Sequence, residues 1–145
     1  MATITGISHI DLTVTDLDRS ETWYSELLGM KRVLDGRNDA HQFDSRYLVH
    51  PDTLLILGLV RHDDMNGDDA TGTAFDEHRV GLDHLSFNVA SRAELDAWRE
   101  RVAERAIEHT PIAESEMWDV LVMRDPDNIQ LEFFYMKPEA ATLLG

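Results

Sequence analysis

The sequence contains no cysteine, and this absence excludes disulfides, thiolate nucleophiles and zinc sites built on cysteine. Positive charge is also scarce, because 13 Lys and Arg residues stand against 28 Asp and Glu residues, for a formal net charge of −15. Such an acidic surface repels phosphate backbones and anionic lipid, so we expect neither nucleic acid nor a membrane as partner. Proteins, small molecules and metal ions remain as partners.

Long apolar runs are missing as well. No run approaches the roughly 20 residues of a membrane-spanning helix. The first residues, MATITGISHI, lack the charged-then-apolar layout of a secretion signal, so we expect a cytoplasmic protein. The 145 residues, of which 43% are hydrophobic, suffice for one packed domain or two fused small modules.

What the sequence does contain is an internal repeat. A shift of 75 positions places HIDLTV (9–14) on HLSFNV (84–89). The same shift, with no gap, places Pro51 on Pro126. Landmarks at one constant offset indicate two copies of a single supersecondary unit.

Each copy has the pattern of a strand, a helix and three further strands. Apolar and polar residues alternate over GISHIDLTVT, and a helix is predicted from about Asp18 to a stop at Gly29. In the second copy, Ser91 and Glu94 form a capping-box signature at the start of the helix. The predicted fold class is α+β, with two βαβββ modules forming a cup-shaped mixed sheet. The predicted single domain (1–145) comprises module one at about 6–60, an acidic linker at about 61–79, module two at about 80–136 and a C-terminal tail at 137–145.

Three side chains are predicted on the strand faces that do not pack on the helices. His9 and His84 occupy equivalent places on the first strands, and Glu132 stands between Leu131 and Phe133 in an otherwise apolar strand. A carboxylate removed from water needs a partner. Two imidazoles and one carboxylate meeting in the cup would form a 2-His-1-carboxylate set, which holds Fe(II), Mn(II) or a related ion and leaves positions open.

Other residues with the same predicted orientation are candidates for contact with substrate. The polar candidates, which would orient ligands or substrate, are Asp11, Ser86 and Asn88. The candidate apolar walls are Leu57, Trp118 and Phe134. The other histidines lie in predicted loops or at loop edges, where solvated residues are expected.

The doubled unit resembles the vicinal oxygen chelate superfamily, which includes glyoxalase I, extradiol ring-cleaving dioxygenases, fosfomycin-resistance proteins and bleomycin-resistance proteins. The resemblance runs from about Gly6 to Met136 and is carried by SHIDLTVTDLDRSETWYSELLGMKRV, GLDHLSFNV and VLVMRDPDNIQLEFFY. Its most specific part is DPDNIQLEF, in which Asn128 stands where the family often has Gly. The resemblance implies the metal ligands His9, His84 and Glu132, a small-molecule substrate that chelates the ion through neighbouring oxygens, and a homodimer.

The first copy departs from the glyoxalase I pattern. Members of that group carry a fourth ligand, Glu or Gln, on the last strand of the first copy, where the 75-residue shift places Leu57. Leucine binds no metal, so the resemblance favours the three-ligand members and, among these, a ring-cleaving dioxygenase. Fe(II) is the favoured ion, with Mn(II), Zn(II) or Ni(II) as other candidates. The acid–base residues of the dioxygenases have no direct match here, and Tyr47 and His109 are the candidate substitutes.

Two other functions stay open at this point. Bleomycin-resistance proteins share the fold and generally lack the metal triad, so a non-catalytic protein that binds a small molecule is the main alternative. A glyoxalase-like isomerase or lyase is the third, although it needs a base that Leu57 cannot supply. The two modules of the family pair within a chain or swap between chains, and the acidic linker is compatible with both arrangements.

Overall fold

The computed structural model describes residues 2–65 and 74–143, and the chain divides into two compact units, Met1–Thr73 and Ala74–Gly145. Each unit contains a four-stranded mixed sheet and one α-helix, in the order strand, helix, three strands. The α+β class and the doubled βαβββ unit predicted from the sequence are therefore confirmed. Within the described ranges, no helix is both long enough and apolar enough to cross a membrane.

The first unit consists of β1 (Ile10–Thr13), α1 (Leu17–Leu28), β2 (Lys31–Asn38), β3 (Phe43–Val49) and β4 (Ile56–His62). The strand order is β1-β4-β3-β2, with β1 parallel to β4 and the other neighbours antiparallel. Because β4 ends at His62, the first two residues of the predicted linker belong to a strand. Residues 66–73 of that linker lie outside the described residues.

Helix α1 covers one face of the first sheet. The Asp16 side chain caps its N-terminus by accepting a backbone hydrogen bond at 2.9 Å, and Gly29 ends it in the left-handed conformation, with φ at 72°. Tyr24 and Leu27 are buried on this helix, and Leu12 is buried on β1. The opposite face of the sheet is therefore the one available for a site.

The second unit consists of β5 (Leu85–Asn88), α2 (Arg92–Glu104), β6 (Ala113–Glu114), β7 (Trp118–Arg124) and β8 (Gln130–Met136). Its strand order, β5-β8-β7-β6, repeats that of the first unit, with β5 parallel to β8. A short 3-10 helix, Pro138–Leu143, follows in the predicted C-terminal tail. The last two residues of that tail lie outside the described residues.

Helix α2 covers one face of the second sheet. Ser91 accepts a hydrogen bond from the Glu94 N–H at 3.2 Å, as the capping-box signature predicts. The Glu94 carboxylate accepts a bond at 2.9 Å from the N–H of Ala90, one residue before the cap. Trp98 stacks on Phe133 of β8, with ring centroids 4.1 Å apart. Since Phe133 faces the helix, its neighbour Glu132 faces away from it.

The turn that leads into the last strand is one residue longer in the first unit. The β3–β4 pairing closes at Val49 and Ile56 across six residues, whereas the β7–β8 pairing closes at Arg124 and Gln130 across five. The offset between the units is therefore 75 positions up to β3 and 74 positions in β4. The repeat does contain a gap.

Both turns contain a residue in the left-handed conformation, and these two residues are also 74 positions apart. Leu54 has φ at 58° and Asn128 has φ at 67°. Asparagine tolerates this conformation better than most residues, and glycine tolerates it best. The backbone thus explains why Asn128 occupies a place that the resemblance associates with glycine.

Candidate functional site

His84 and Glu132 lie together on the face of the second sheet that α2 does not cover, which we call the Glu132 face. Glu132 pairs in register with Ser86, and His84 stands two residues before Ser86, on the same side. The Nε2 atom of His84 lies 3.4 Å from an Oε atom of Glu132. The Glu132 side chain is 14% exposed and that of His84 is 39% exposed, so the carboxylate is largely withdrawn from water while the imidazole stays accessible.

The donor atoms of this pair fit a single divalent ion. Bonds from imidazole nitrogen and carboxylate oxygen to such an ion measure about 2.0–2.2 Å, so two donors on one ion lie roughly 3–4 Å apart. The observed 3.4 Å falls within that interval. Residues 2–65 and 74–143 contain no group of three or more His, Asp or Glu side chains placed to hold an ion. Two of the three predicted ligands are thus brought together, and the place of His9 beside them stays a prediction.

His9 lies in the first unit, in contact with Ser8 and close to Asp11 and Tyr47. Its Nδ1 atom is 2.7 Å from the Ser8 hydroxyl, and its Nε2 atom is 3.9 Å from the Asp11 carboxylate. Its ring meets that of Tyr47 edge-on, with centroids 6.2 Å apart. Tyr47 pairs with Gly58, which pairs with Asp11, so the side chains of Tyr47 and Asp11 lie on the same face of the first sheet. The acid–base role of Tyr47 stays a prediction.

Gly58, rather than Leu57, is the first unit's counterpart of Glu132. Glu132 pairs with Ser86, and Gly58 pairs with Asp11, the residue equivalent to Ser86. Leu57 is fully buried and lies on the opposite face, toward α1. The prediction of Leu57 as a wall of the site was therefore wrong. One extra residue in the preceding turn moves every side chain of β4 to the other face.

Gly58 provides the space in which the Asp11 carboxylate lies. Its φ is not in the left-handed region, so the backbone conformation itself does not require glycine. A Cβ atom at this position would overlap the Asp11 carboxylate and lie 3.0 Å from the Tyr47 ring. A glycine in a strand interior often marks such a close approach. The carboxylate on this face of the first sheet is thus Asp11 on β1, whereas in the second sheet it is Glu132 on β8.

Four of the predicted contact residues lie on the Glu132 face: Ser86, which pairs with Glu132, and Asn88, Trp118 and Phe134. Phe134 and Trp118 stack with ring centroids 6.0 Å apart and an interplanar angle of 29°. Asn88 pairs in register with Phe134. Trp118 is 42% exposed, so this aromatic pair is open to a ligand. The Glu132 face is therefore polar at the His84 end and aromatic at the Trp118 end.

His109 lies on the other face of the second sheet. It forms an isolated β-bridge with Met123, which is fully buried and pairs with Leu131. Its Nδ1 atom donates to the carbonyl oxygen of Ile107 at 2.9 Å. Since Leu131 and Glu132 point to opposite sides of β8, the prediction of His109 as an acid–base residue of this site was wrong.

Asp83 contacts His84, Gln130 contacts Asp83, and neither residue was predicted as part of the site. Asp83 Oδ1 lies 2.6 Å from His84 Nδ1, and Gln130 Nε2 donates to the same oxygen at 3.4 Å. The only signal in the sequence is the acidic neighbour in the dipeptide Asp83–His84. Which ring nitrogen it contacts follows only from the structure.

An ion pair attaches the segment before β5 to the second sheet. Arg124 donates to both carboxylate oxygens of Glu77, at 3.0 and 2.6 Å, and the Phe75 N–H donates to the Asp127 carbonyl at 2.9 Å. The hydrogen bonds from Arg124 lower the pKa of Glu77 from 4.5 to about 2. Residues 74–79, predicted as linker, are thus held against the β7–β8 turn.

Stability should depend on the Glu77 charge in acid. Because the folded-state pKa of Glu77 is lowered, the ion pair stabilises the fold above about pH 4.5, and this contribution is lost as the pH falls toward about 2. We expect Glu77→Gln to lower the denaturation midpoint at neutral pH and to match the wild type near pH 2. Denaturant titrations across this interval measure the effect, with Glu100→Gln on the exposed side of α2 as control. A difference that stays constant down to pH 2 would contradict it.

The chain belongs to the Glyoxalase/Bleomycin resistance protein/Dioxygenase superfamily, whose family model matches residues 6–133. The resemblance inferred from the repeat and from DPDNIQLEF is confirmed. A crystal structure of a glyoxylase/bleomycin resistance protein/dioxygenase domain from Frankia sp. EAN1pec is 40% identical, with a TM-score of 0.80 over 93% of this chain and 100% of that one.

Two further relatives are named after specific activities. A trivalent organoarsenical cleaving enzyme from Bacillus sp. (strain MD1) is 30% identical over 135 residues, which are 90% of this chain and 73% of that protein. The fosfomycin resistance protein FosX from Listeria monocytogenes, solved with Mn(II) and sulfate, has a TM-score of 0.69 at 18% identity, over 97% of this chain and 99% of that one. This second likeness concerns the fold alone.

Proposed function

We propose that the protein is a divalent-metal enzyme in which His84 and Glu132 hold the ion and His9 is the third protein ligand. The observation that supports this proposal is the 3.4 Å approach of His84 Nε2 to a carboxylate that is only 14% exposed. The part assigned to His9 rests on the sequence resemblance. When bound, such an ion supplies Lewis-acid polarisation of substrate oxygens or, as Fe(II), a place for O₂.

The proposed substrate is a small aromatic molecule with two neighbouring oxygens. The oxygens would lie at the His84 end of the Glu132 face, where Ser86 is exposed and offers a hydroxyl group. The ring would lie toward Phe134 and Trp118, since aromatic side chains prefer stacked or edge-on contacts with other rings. The amide of Asn88, next to Phe134, would orient a polar substituent.

Ring cleavage of the extradiol type is the proposed reaction. Gly58, at the Glu132-equivalent place on β4, has no side chain and so supplies no fourth ligand there. An ion held by three protein ligands would keep coordination positions free for a substrate. Tyr47, on the same face as Asp11, is the proposed acid–base residue. The corrected register therefore supports the same reaction that Leu57 had suggested.

Oxygen uptake tests this function. Protein loaded anaerobically with Fe(II) and mixed with a panel of catechols is expected to consume one O₂ for each catechol and to form a ring-opened product. Glu100→Gln serves as a loaded control, and Glu132→Ala as the inactive variant. A protein fully loaded with Fe(II) that consumes no oxygen with any catechol would contradict the proposed reaction.

Cleavage of a trivalent organoarsenical is the second candidate, favoured by 30% identity over 90% of the chain. Trivalent arsenic is a soft centre that binds thiolates well, and the 145 residues contain no cysteine to supply one. The same loaded protein, incubated with a trivalent arylarsenical, discriminates the two candidates. Release of inorganic arsenite without catechol-dependent oxygen uptake would favour the arsenical reaction.

A further inference from the structure

The carboxylate next to His84 has a defined chemical effect on that imidazole. We propose that Asp83 is a positioning residue that holds the His84 proton on Nδ1 and so keeps Nε2 unprotonated as the donor atom toward the ion. The inference rests on the proposed function for the presence of that ion. The position of the proton is a property of the metal-free protein and is tested separately.

Asp83 contacts both His84 and a residue of the strand that carries Glu132. Its Oδ1 atom lies 2.6 Å from His84 Nδ1 and accepts a hydrogen bond from Gln130 Nε2 at 3.4 Å. Gln130 precedes Glu132 by two residues on β8 and lies on the same face. The neighbouring Arg124 donates its hydrogen bonds to both oxygens of Glu77 and to the Asn128 carbonyl. Asp83 is therefore available to the imidazole.

The Asp83 carboxylate determines which ring nitrogen of His84 carries the proton. An ionised carboxylate only accepts hydrogen bonds, so in a neutral imidazole Nδ1 must be the nitrogen that donates to it. Both ring nitrogens face a carboxylate, and the contact of Nδ1 with Asp83 at 2.6 Å is much shorter than that of Nε2 with Glu132 at 3.4 Å. The proton therefore lies on Nδ1 and the lone pair on Nε2. Metal-binding histidines are commonly oriented in this way, and a carboxylate partner also increases the basicity of the ligand.

The first unit provides an internal comparison. His9 Nδ1 contacts the Ser8 hydroxyl at 2.7 Å. Ser8 precedes His9 just as Asp83 precedes His84, so the two contacts are equivalent. A hydroxyl both donates and accepts, so it is compatible with a proton on either nitrogen of His9. His84 is therefore the histidine whose tautomer is imposed by its neighbour, and His9 is not.

The test of the proton position uses nitrogen NMR of the metal-free protein. Two-bond ¹H–¹⁵N correlation spectra, recorded at about pH 8 where an unperturbed imidazole is neutral, distinguish the two tautomers of each histidine. The His84 signals are identified by their loss in His84→Gln. We expect a protonated Nδ1 on wild-type His84 and a shift toward a protonated Nε2 in Asp83→Ala. The control Asp96→Asn, on α2, should leave these signals unchanged.

Mn(II) titration then tests the link to the ion. We expect Asp83→Ala to weaken Mn(II) binding about 10–100-fold, as is typical when a histidine ligand loses its outer partner. Asp83→Asn should retain part of the affinity, because the amide oxygen still accepts a hydrogen bond. Ser8→Ala should weaken binding less than Asp83→Ala. Rescue by the asparagine distinguishes positioning of the ring from a general loss of structure.

The outcomes separate the inference from the proposed function. A wild-type His84 protonated on Nε2, or the same tautomer in wild type and Asp83→Ala, overturns the inference. So does wild-type Mn(II) binding that Asp83→Ala leaves unchanged. A wild-type protein with the proton on Nδ1 that binds no Mn(II) confirms the proton's position and overturns the proposed function.

Discussion

Glu132→Ala is expected to weaken the binding of Mn(II) or Fe(II) by more than about 100-fold, since even an outer partner of a ligand contributes about 10–100-fold. The carboxylate it removes is the group that lies 3.4 Å from His84 Nε2 and is largely shielded from water. Titration of the metal-free protein, followed by the EPR signal of free Mn(II), measures the loss. Circular dichroism of the variant establishes that the fold is kept.

Two matched variants sharpen this result. Glu132→Asp keeps the charge but shortens the side chain, so its affinity should lie between those of the wild type and the alanine variant. Glu100→Gln removes a carboxylate from the exposed side of α2 and should bind as the wild type does. An unchanged affinity in Glu132→Ala would mean that the ion, if bound, is held elsewhere.

Leu57→Ala is expected to lower the free energy of unfolding by about 3 kcal/mol or more, as for other fully buried leucines. Metal binding and the KM for substrate should remain unchanged, because Leu57 faces α1 and not the site.

Phe134→Ala is expected to have the opposite effects. Phe134 is half-buried on the Glu132 face, so its loss should raise the KM for a catechol and lower stability less.

Denaturant titration and steady-state kinetics of these two variants test the corrected register of β4. The expected pattern is a stability defect with normal kinetics for Leu57→Ala, and the reverse for Phe134→Ala. If Leu57→Ala instead raised the KM with little loss of stability, Leu57 would line the site after all. In that case the gap-free repeat would be the better description.

The alternation within single strands was enough to predict much of the fold and the central pair. In IQLEFFY, the apolar residues on either side of Glu132 indicated that it faces away from the helix, and Phe133 does stack on α2. The repeat placed His84 on the neighbouring strand, and the two side chains meet at 3.4 Å. Both inferences use only the period of a strand and the order of elements.

The face of the sheet on which each β4 side chain lies could not be predicted in this way, because it depends on the length of the preceding turn. Pro51 and Pro126 match at 75 positions, but Leu54 and Asn128 share their left-handed conformation at 74. Nothing in the alternation of LLILGLV distinguishes the two registers, since nearly every residue in it is apolar. Only the observed pairing of Gly58 with Asp11 decides between them.

His109 shows a second limit of sequence reasoning. It stands between α2 and β6, in a segment whose only strand-like contact is the isolated bridge to Met123. A single bridge leaves no alternating pattern from which a face can be inferred. Its Nδ1 hydrogen bond to the Ile107 carbonyl gives it an ordinary structural role.

Metal content tests most directly whether His84 and Glu132 hold a catalytic ion. Protein purified anaerobically, supplied with Fe(II) and freed of excess ion, is analysed by inductively coupled plasma mass spectrometry. The predicted result is one Fe(II) for each wild-type chain and none for Glu132→Ala. A wild-type protein that retains no iron, manganese, zinc or nickel when each is supplied in excess, yet binds an aromatic ligand, would overturn the metal site and identify a non-catalytic binding protein.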